Sequence, residues 1–139
     1  MALGFEDVTE QHHLITFTAN ANETLSNKYM AVQFYGSNRS IRLPQNPTAE
    51  VHAIAQTAAD TGQEVRVVLL GMTKFRSNGT VNFWEPLINN QSSGELTPNP
   101  AHGNESKGDS VVLGRCWKTV DDTNTTKISI MLLDPDNCT

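Results

Sequence analysis

The sequence predicts an all-β fold: a compact antiparallel barrel or sandwich of about eight to ten short strands with an extended N-terminal arm. Three observations lead there. Charged residues make up only 18% of the 139, against about 25% in ordinary globular chains. Asn, Thr, Ser and Gln fill the difference, and they favour turns and strands over long surface helices. Apolar residues then recur in short alternating runs, and Gly, Asn and Pro punctuate those runs as turns do. The length fits one domain, and 37% hydrophobic residues are enough to build a core.

Residues 1–28 read as an arm and 29–139 as a single β-rich domain. The arm is mostly polar, with one β-like island at Leu14–Thr18 in which Ile15 and Phe17 share a face. Two readings of that island stand side by side. It adds a strand to the sheet edge of another molecule, or it is the first strand of the body's own sheet. Tyr29–Tyr35 is an aromatic and β-branched strand, Gly36–Ser40 a turn, and Ile41–Leu43 a short return strand ended by Pro44. Thr48–Gly62 is ambiguous. Its alanines, a Thr at the N-cap position and a Gly just past the end suit a helix. The competing reading is a strand at Val51–Gln56 followed by a turn. An echo decides for the strand: Ile54–Gln56, a polar turn and Val65–Leu70 match Leu113–Arg115, a polar turn and Ile128–Leu133.

Gln63–Leu70 is the clearest strand of the first half, interrupted at Gly71. Thr73–Phe75 and Val81–Phe83 flank Asn78-Gly79, a strong hairpin signal. Residues 88–108 form a long polar connection. Ser110–Trp117 and Lys127–Leu133 are the closing strands.

Composition also excludes functions. The net charge is −5 and the 10 Lys and Arg form no run, so no basic patch is available for nucleic acid or for anionic lipid. No apolar stretch approaches the ~20 residues of a membrane span. Met1–Asp7 has no basic n-region leading into an apolar stretch, so synthesis in the cytoplasm is expected. The seven Asn-x-Ser/Thr triplets then follow from composition alone.

No catalytic, cofactor or metal constellation is expected. Gly108-Asp109-Ser110 has the look of an esterase nucleophile turn, but no His follows residue 102 to act as its base. His12 and His13 point to opposite faces of an extended chain, and His52 and His102 lie in unrelated contexts. Asp121-Asp122 and Asp134–Asn137 lack the calcium-loop pattern. Cys116 sits in an apolar run as a small core residue, and pairing with Cys138 is disfavoured in a reducing compartment. The two tryptophans, Trp84 and Trp117, each abut a strand end. They are either core residues or interface anchors.

From Tyr29 to Leu133 the chain resembles the head-decoration, or capsid cement, proteins of tailed bacteriophages. The resemblance is carried by Tyr29–Gly36 with Ile41–Leu43, by Val51–Val67, by Leu70-Gly71-Met72-Thr73-Lys74-Phe75, and by Gly108–Arg115 with Ile128–Leu133. Ala53 or Ala55 stands where that family usually has Gly, and Trp117 where it has a small residue. The resemblance implies a non-enzymatic virion protein on the outer capsid surface. It implies a homotrimer at three-fold or quasi-three-fold positions that binds the major capsid protein and stabilises the shell. The arm, through Leu14, Ile15 and Phe17, is expected to grip that shell. Two alternatives come from other classes: a carbohydrate- or receptor-binding β-module using Tyr35 or Trp84, and a small hydrolase, for which no residue constellation speaks.

Overall fold

The computed structural model describes residues 15–47, 49–89, 93–98, 112–119 and 126–134. These residues hold no helix and nine strands: β1 (Ile15–Ala21), β2 (Ala31–Phe34), β3 (Ser40–Arg42), β4 (Ala53–Ala55), β5 (Glu64–Asn78), β6 (Pro86–Asn89), β7 (Leu96–Pro98), β8 (Val112–Cys116) and β9 (Thr126–Leu133). The all-β class is as expected. The pairings close two rings that share β5. In the first, β1 pairs with β3, β3 with β2, β2 with β4, β4 with β5, and β5 back with β1. In the second, β5 pairs with β7, β7 with β6, β6 with β8, β8 with β9, and β9 back with β5. Only the β1–β3 and β5–β7 contacts are parallel. Closing a sheet on itself removes its exposed edges.

The first ring explains the alanines. A barrel's diameter grows with strand number, and eight strands leave an interior that side chains only just fill. Five strands leave less. Ala19, Ala21, Ala53, Ala55 and Ala59 are buried together with Val32, Ile41, Val65 and Val67 in that ring's core. The opposite faces of the same strands are also buried: Ala31, Ile54 and Val68 belong to a second cluster with Phe75, Leu87, Leu96, Leu113, Cys116, Met131 and Leu133. β4 is therefore buried at all three positions and shows no polar alternation. A strand covered on both sides reads as a continuous apolar run, and an Ala-rich one imitates a helix. Ile54 pairs with Val68 and Ala55 with Val67, so the strand-and-turn reading of 48–62 holds in the described residues.

β5 is one continuous strand of 15 residues, where the sequence suggested a break at Gly71. Gly71 has φ +113°, a conformation glycine reaches easily, and it marks a change of partner. Before it, β5 lies against β1 and β4; from Gly71 onward it pairs with β9, Gly71 itself opposite Leu133. The expected hairpin between Thr73–Phe75 and Val81–Phe83 is corrected accordingly, since β9 occupies that side of β5 from Gly71 to Asn78. The polar stretch after residue 88 is corrected too: it holds the end of β6 and all of β7. Pro86 begins its strand, where its missing N–H costs least.

The boundary between arm and body also moves. Thr16 to Asn20 pair antiparallel with Val68 to Glu64 of the same chain, and Ile15 with Leu70. Leu25 is 1% exposed and bridges Ala59. Of the two readings of Leu14–Thr18, the described residues follow the second: Ile15 and Phe17 occupy positions on the body's own β1. Residues 15–28 thus belong to the body rather than to an arm. An alternating β-prone segment finds the nearest unpaired edge, and β5 supplies one intramolecularly. Leu14 and residues 1–13 lie outside the described residues.

Candidate functional site

Among the described residues, no group of three or more His, Cys, Asp or Glu side chains comes together. Gly108–Ser110, His12, His13, His102, Asp121 and Asp122 lie outside the described residues. His52 is used structurally: its Nδ1 accepts the Phe34 N–H at 3.0 Å and its ring stacks on Phe34 at 4.9 Å. Tyr35 lies under the Arg42 guanidinium at 3.8 Å, and Arg42 donates to Gln33 Oε1 at 2.9 Å. Tyr35, one of the aromatics considered for sugar binding, therefore has a ring face already engaged. Where the two rings meet lies a cleft of about 320 Å³, lined by Met30, Leu43, Arg76, Ser93 and Glu95 among others. Ser93 and Glu95 bond to each other there.

The two tryptophans come together. β6 and β8 pair with Pro86 opposite Arg115, so the residues just before Pro86 and just after Arg115 meet at one end of the second ring. Backbone bonds fix the junction: Trp84 N–H to Cys116 O at 2.7 Å, and Cys116 N–H to Glu85 O at 3.0 Å. The tight turn before β6 is held by Glu85 Oε1, which accepts the Asn82 N–H at 2.7 Å. Trp84 sits in that turn at φ +69°. A left-handed conformation costs a non-glycine residue about 1–2 kcal/mol, which the surrounding bonds offset. Arg115 contributes twice, donating from Nη1 to Trp84 O at 3.0 Å and standing 5.5 Å from the Trp84 ring.

Phe83 joins them, a residue the sequence reading passed over. Its ring lies 6.0 Å from Trp84, tilted by 39°, and 5.6 Å from Trp117, edge-on at 66°; Trp84 and Trp117 are 6.4 Å apart at 73°. The three are 56%, 40% and 40% exposed. These are favourable aromatic geometries on the surface, so neither tryptophan is a core residue. The available signal was the Phe83-Trp84 doublet inside a polar stretch.

Directly beneath, Cys116 is fully buried and donates its thiol to Lys118 O at 3.0 Å. Burial pushes its pKa up and Glu85 adds to that, while the bond to Lys118 opposes them. A thiol whose folded pKa lies above its unfolded value, about 8.5, stabilises the fold in full below that value. The contribution is lost as pH rises through the folded pKa. In a Cys138→Ser chain, Cys116 should therefore resist alkylation by iodoacetamide until the protein unfolds, and the melting temperature should fall above about pH 8.5. Fast labelling of the native protein would contradict a buried, protonated thiol.

The fold defines a class: an all-β body of two strand rings built on one long shared strand. No family model matches the chain, and no curated protein matches it. Among solved structures it is similar to the head fiber gp8.5 N base of bacteriophage phi29, with a TM-score of 0.61 and 13% identity, over 88% of this chain and 95% of that one. At that identity the likeness establishes the fold.

Proposed function

We propose that the chain is a non-enzymatic structural protein of a tailed-phage head: a decoration or cement protein on the outer capsid surface that binds the major capsid protein as a homotrimer. The observation that carries this is the fold shared with the base of a phage head fiber, across nearly the whole of both chains. The sequence resemblance to cement proteins points to the same place by a different route. A body whose described strands close into rings suits a particle crowded with identical neighbours, where an open edge would template unwanted pairing. Three linked copies gain avidity at a three-fold position even when each contact is weak. Ile15 and Phe17 belong to β1, so any shell contact they make is made from the body.

The test is co-sedimentation with heads of the phage that encodes the chain, prepared without it. Saturable binding is expected, at three copies per site, with a species of three times the monomer mass by native mass spectrometry. Decorated heads should also release DNA at a higher temperature than bare ones. Chains that stay monomeric both free and on heads would rule out the trimer. Failure to bind the heads at all would remove the decoration role.

A further inference from the structure

We infer that Phe83, Trp84, Trp117 and Arg115 form a carbohydrate-binding site that takes a pyranose unit of a surface glycan. This goes beyond the capsid role and does not depend on it. Four observations converge. First, the rings are exposed in a fixed arrangement: Phe83 and Trp84 lean 39° apart, and Trp117 stands across both at 66° and 73°. The apolar C–H face of a pyranose packs on such a ring, and a second ring at a steep angle limits its orientation. Second, the rings are held in advance. The left-handed Trp84 is tied through its N–H to Cys116 O and through its carbonyl to Arg115, and the Phe83 N–H donates to Thr119 Oγ1 at 3.1 Å. Backbone strain at an exposed tryptophan is a feature that clusters at ligand sites, and a pre-ordered site loses less entropy on binding.

Third, a side-chain N–H donor able to bond sugar hydroxyls stands against the rings. Arg115 has five N–H donors, one of which goes to Trp84 O, and Asn82 and Lys118 are exposed neighbours in sequence. Fourth, the patch that the described residues form is small. With side chains of 150–250 Å² each, the stated exposures leave roughly 300 Å² of aromatic surface. Even if the surface of Ile128, 49% exposed on β9, were counted with it, the total would be only about 400 Å². A stable protein interface buries about 800 Å² per partner. A patch half that size, lined by aromatics with a few polar groups, fits a sugar better than a subunit.

Both tryptophans of the chain lie in the site, so their fluorescence reports on it directly. The isolated full chain is screened against linear oligosaccharides of glucose, galactose, mannose, N-acetylglucosamine and a hexuronic acid, and hits are titrated by tryptophan emission and calorimetry. A saturable emission change is expected for at least one series. Trp117→Ala should weaken it about tenfold or more, with Trp84 still reporting, and Arg115→Ala should weaken it as well. Circular dichroism matching wild type establishes that either variant is folded. The inference is overturned if no series binds, or if both folded variants bind as wild type does. It is also overturned if no sugar binds and Trp117→Ala instead abolishes attachment to heads, which would make the patch a protein contact.

Discussion

Gly114→Ala should destabilise the chain by about 3 kcal/mol or more, at the upper end of overpacking costs. Gly114 sits in β8 between two partners, opposite Leu87 of β6 and Leu133 of β9. A Cβ added there would collide with the Leu132 carbonyl oxygen, and would lie 2.8 Å from Met131 Cε and 3.0 Å from the Leu132 carbonyl carbon. The methionine tip can move, but the obstructing backbone belongs to β9 itself. Relief requires β8 to draw away from β9, which loosens the Gly114–Leu133 and Cys116–Met131 pairs and opens the second ring. Total stability is only about 5–15 kcal/mol, so the loss is a large fraction. A fall in melting temperature of roughly 10 °C is the expected result for a domain of this size. Gly36→Ala is the control. Gly36 adopts a left-handed φ, +70°, which Gly114 does not, and nothing lies within 4 Å of its added Cβ, so only the backbone cost of about 1 kcal/mol applies. Equal melting of the two variants would show that the β8–β9 contact is looser than described.

The strands that alternate or are bounded by clear turn residues were legible. The β2–β3 hairpin, β5 before Gly71 and the β8–β9 hairpin alternate or end in turn residues, and each was read within a few positions. β4 was legible only through the echo with Leu113–Leu133, because Ala53 and Ala55 were chosen by a narrow barrel interior and carry a helical propensity that the barrel overrides. β6 was missed for a related reason. Pro86, Leu87, Ile88 and Asn89 are all buried, so no period of two marks them, and a proline opens the run. Gly71 read as a break because glycine usually is one; nothing local reveals that the strand continues and only its partners change.

Missing β6 also hid the site. Phe83 and Trp84 are more than thirty residues from Trp117, and only the pairing of Pro86 with Arg115 brings them together. The sequence offered each tryptophan as an anchor but gave no reason to join them. Phe83 carried no weight alone, since a phenylalanine beside a presumed strand end is ordinarily core.

Deleting residues 1–21 should prevent folding, and this decides between a strand of the body and an arm for another molecule. β1 pairs with β5 at six positions and with β3 at two. Its removal opens the first ring at its closing strand. The backbone bonds alone contribute about 1 kcal/mol each in net terms. Ala19 and Ala21, 1% and 2% exposed, leave the core with the strand, and Val65 and Val67 on β5 lose their cover. The sum approaches the whole stability of a domain. The exposed edge of β5 would then be free to pair with other chains, so aggregation accompanies the loss. Far-ultraviolet circular dichroism without a cooperative melt, together with elution in the void volume on gel filtration, is the expected outcome. An arm donated to a capsid would give the opposite: a truncated chain that melts as the full one does and fails only to bind heads. Such a result would return Ile15 and Phe17 to the role of contacts made outside the body, and would require the β1–β5 pairing to be absent from the free protein.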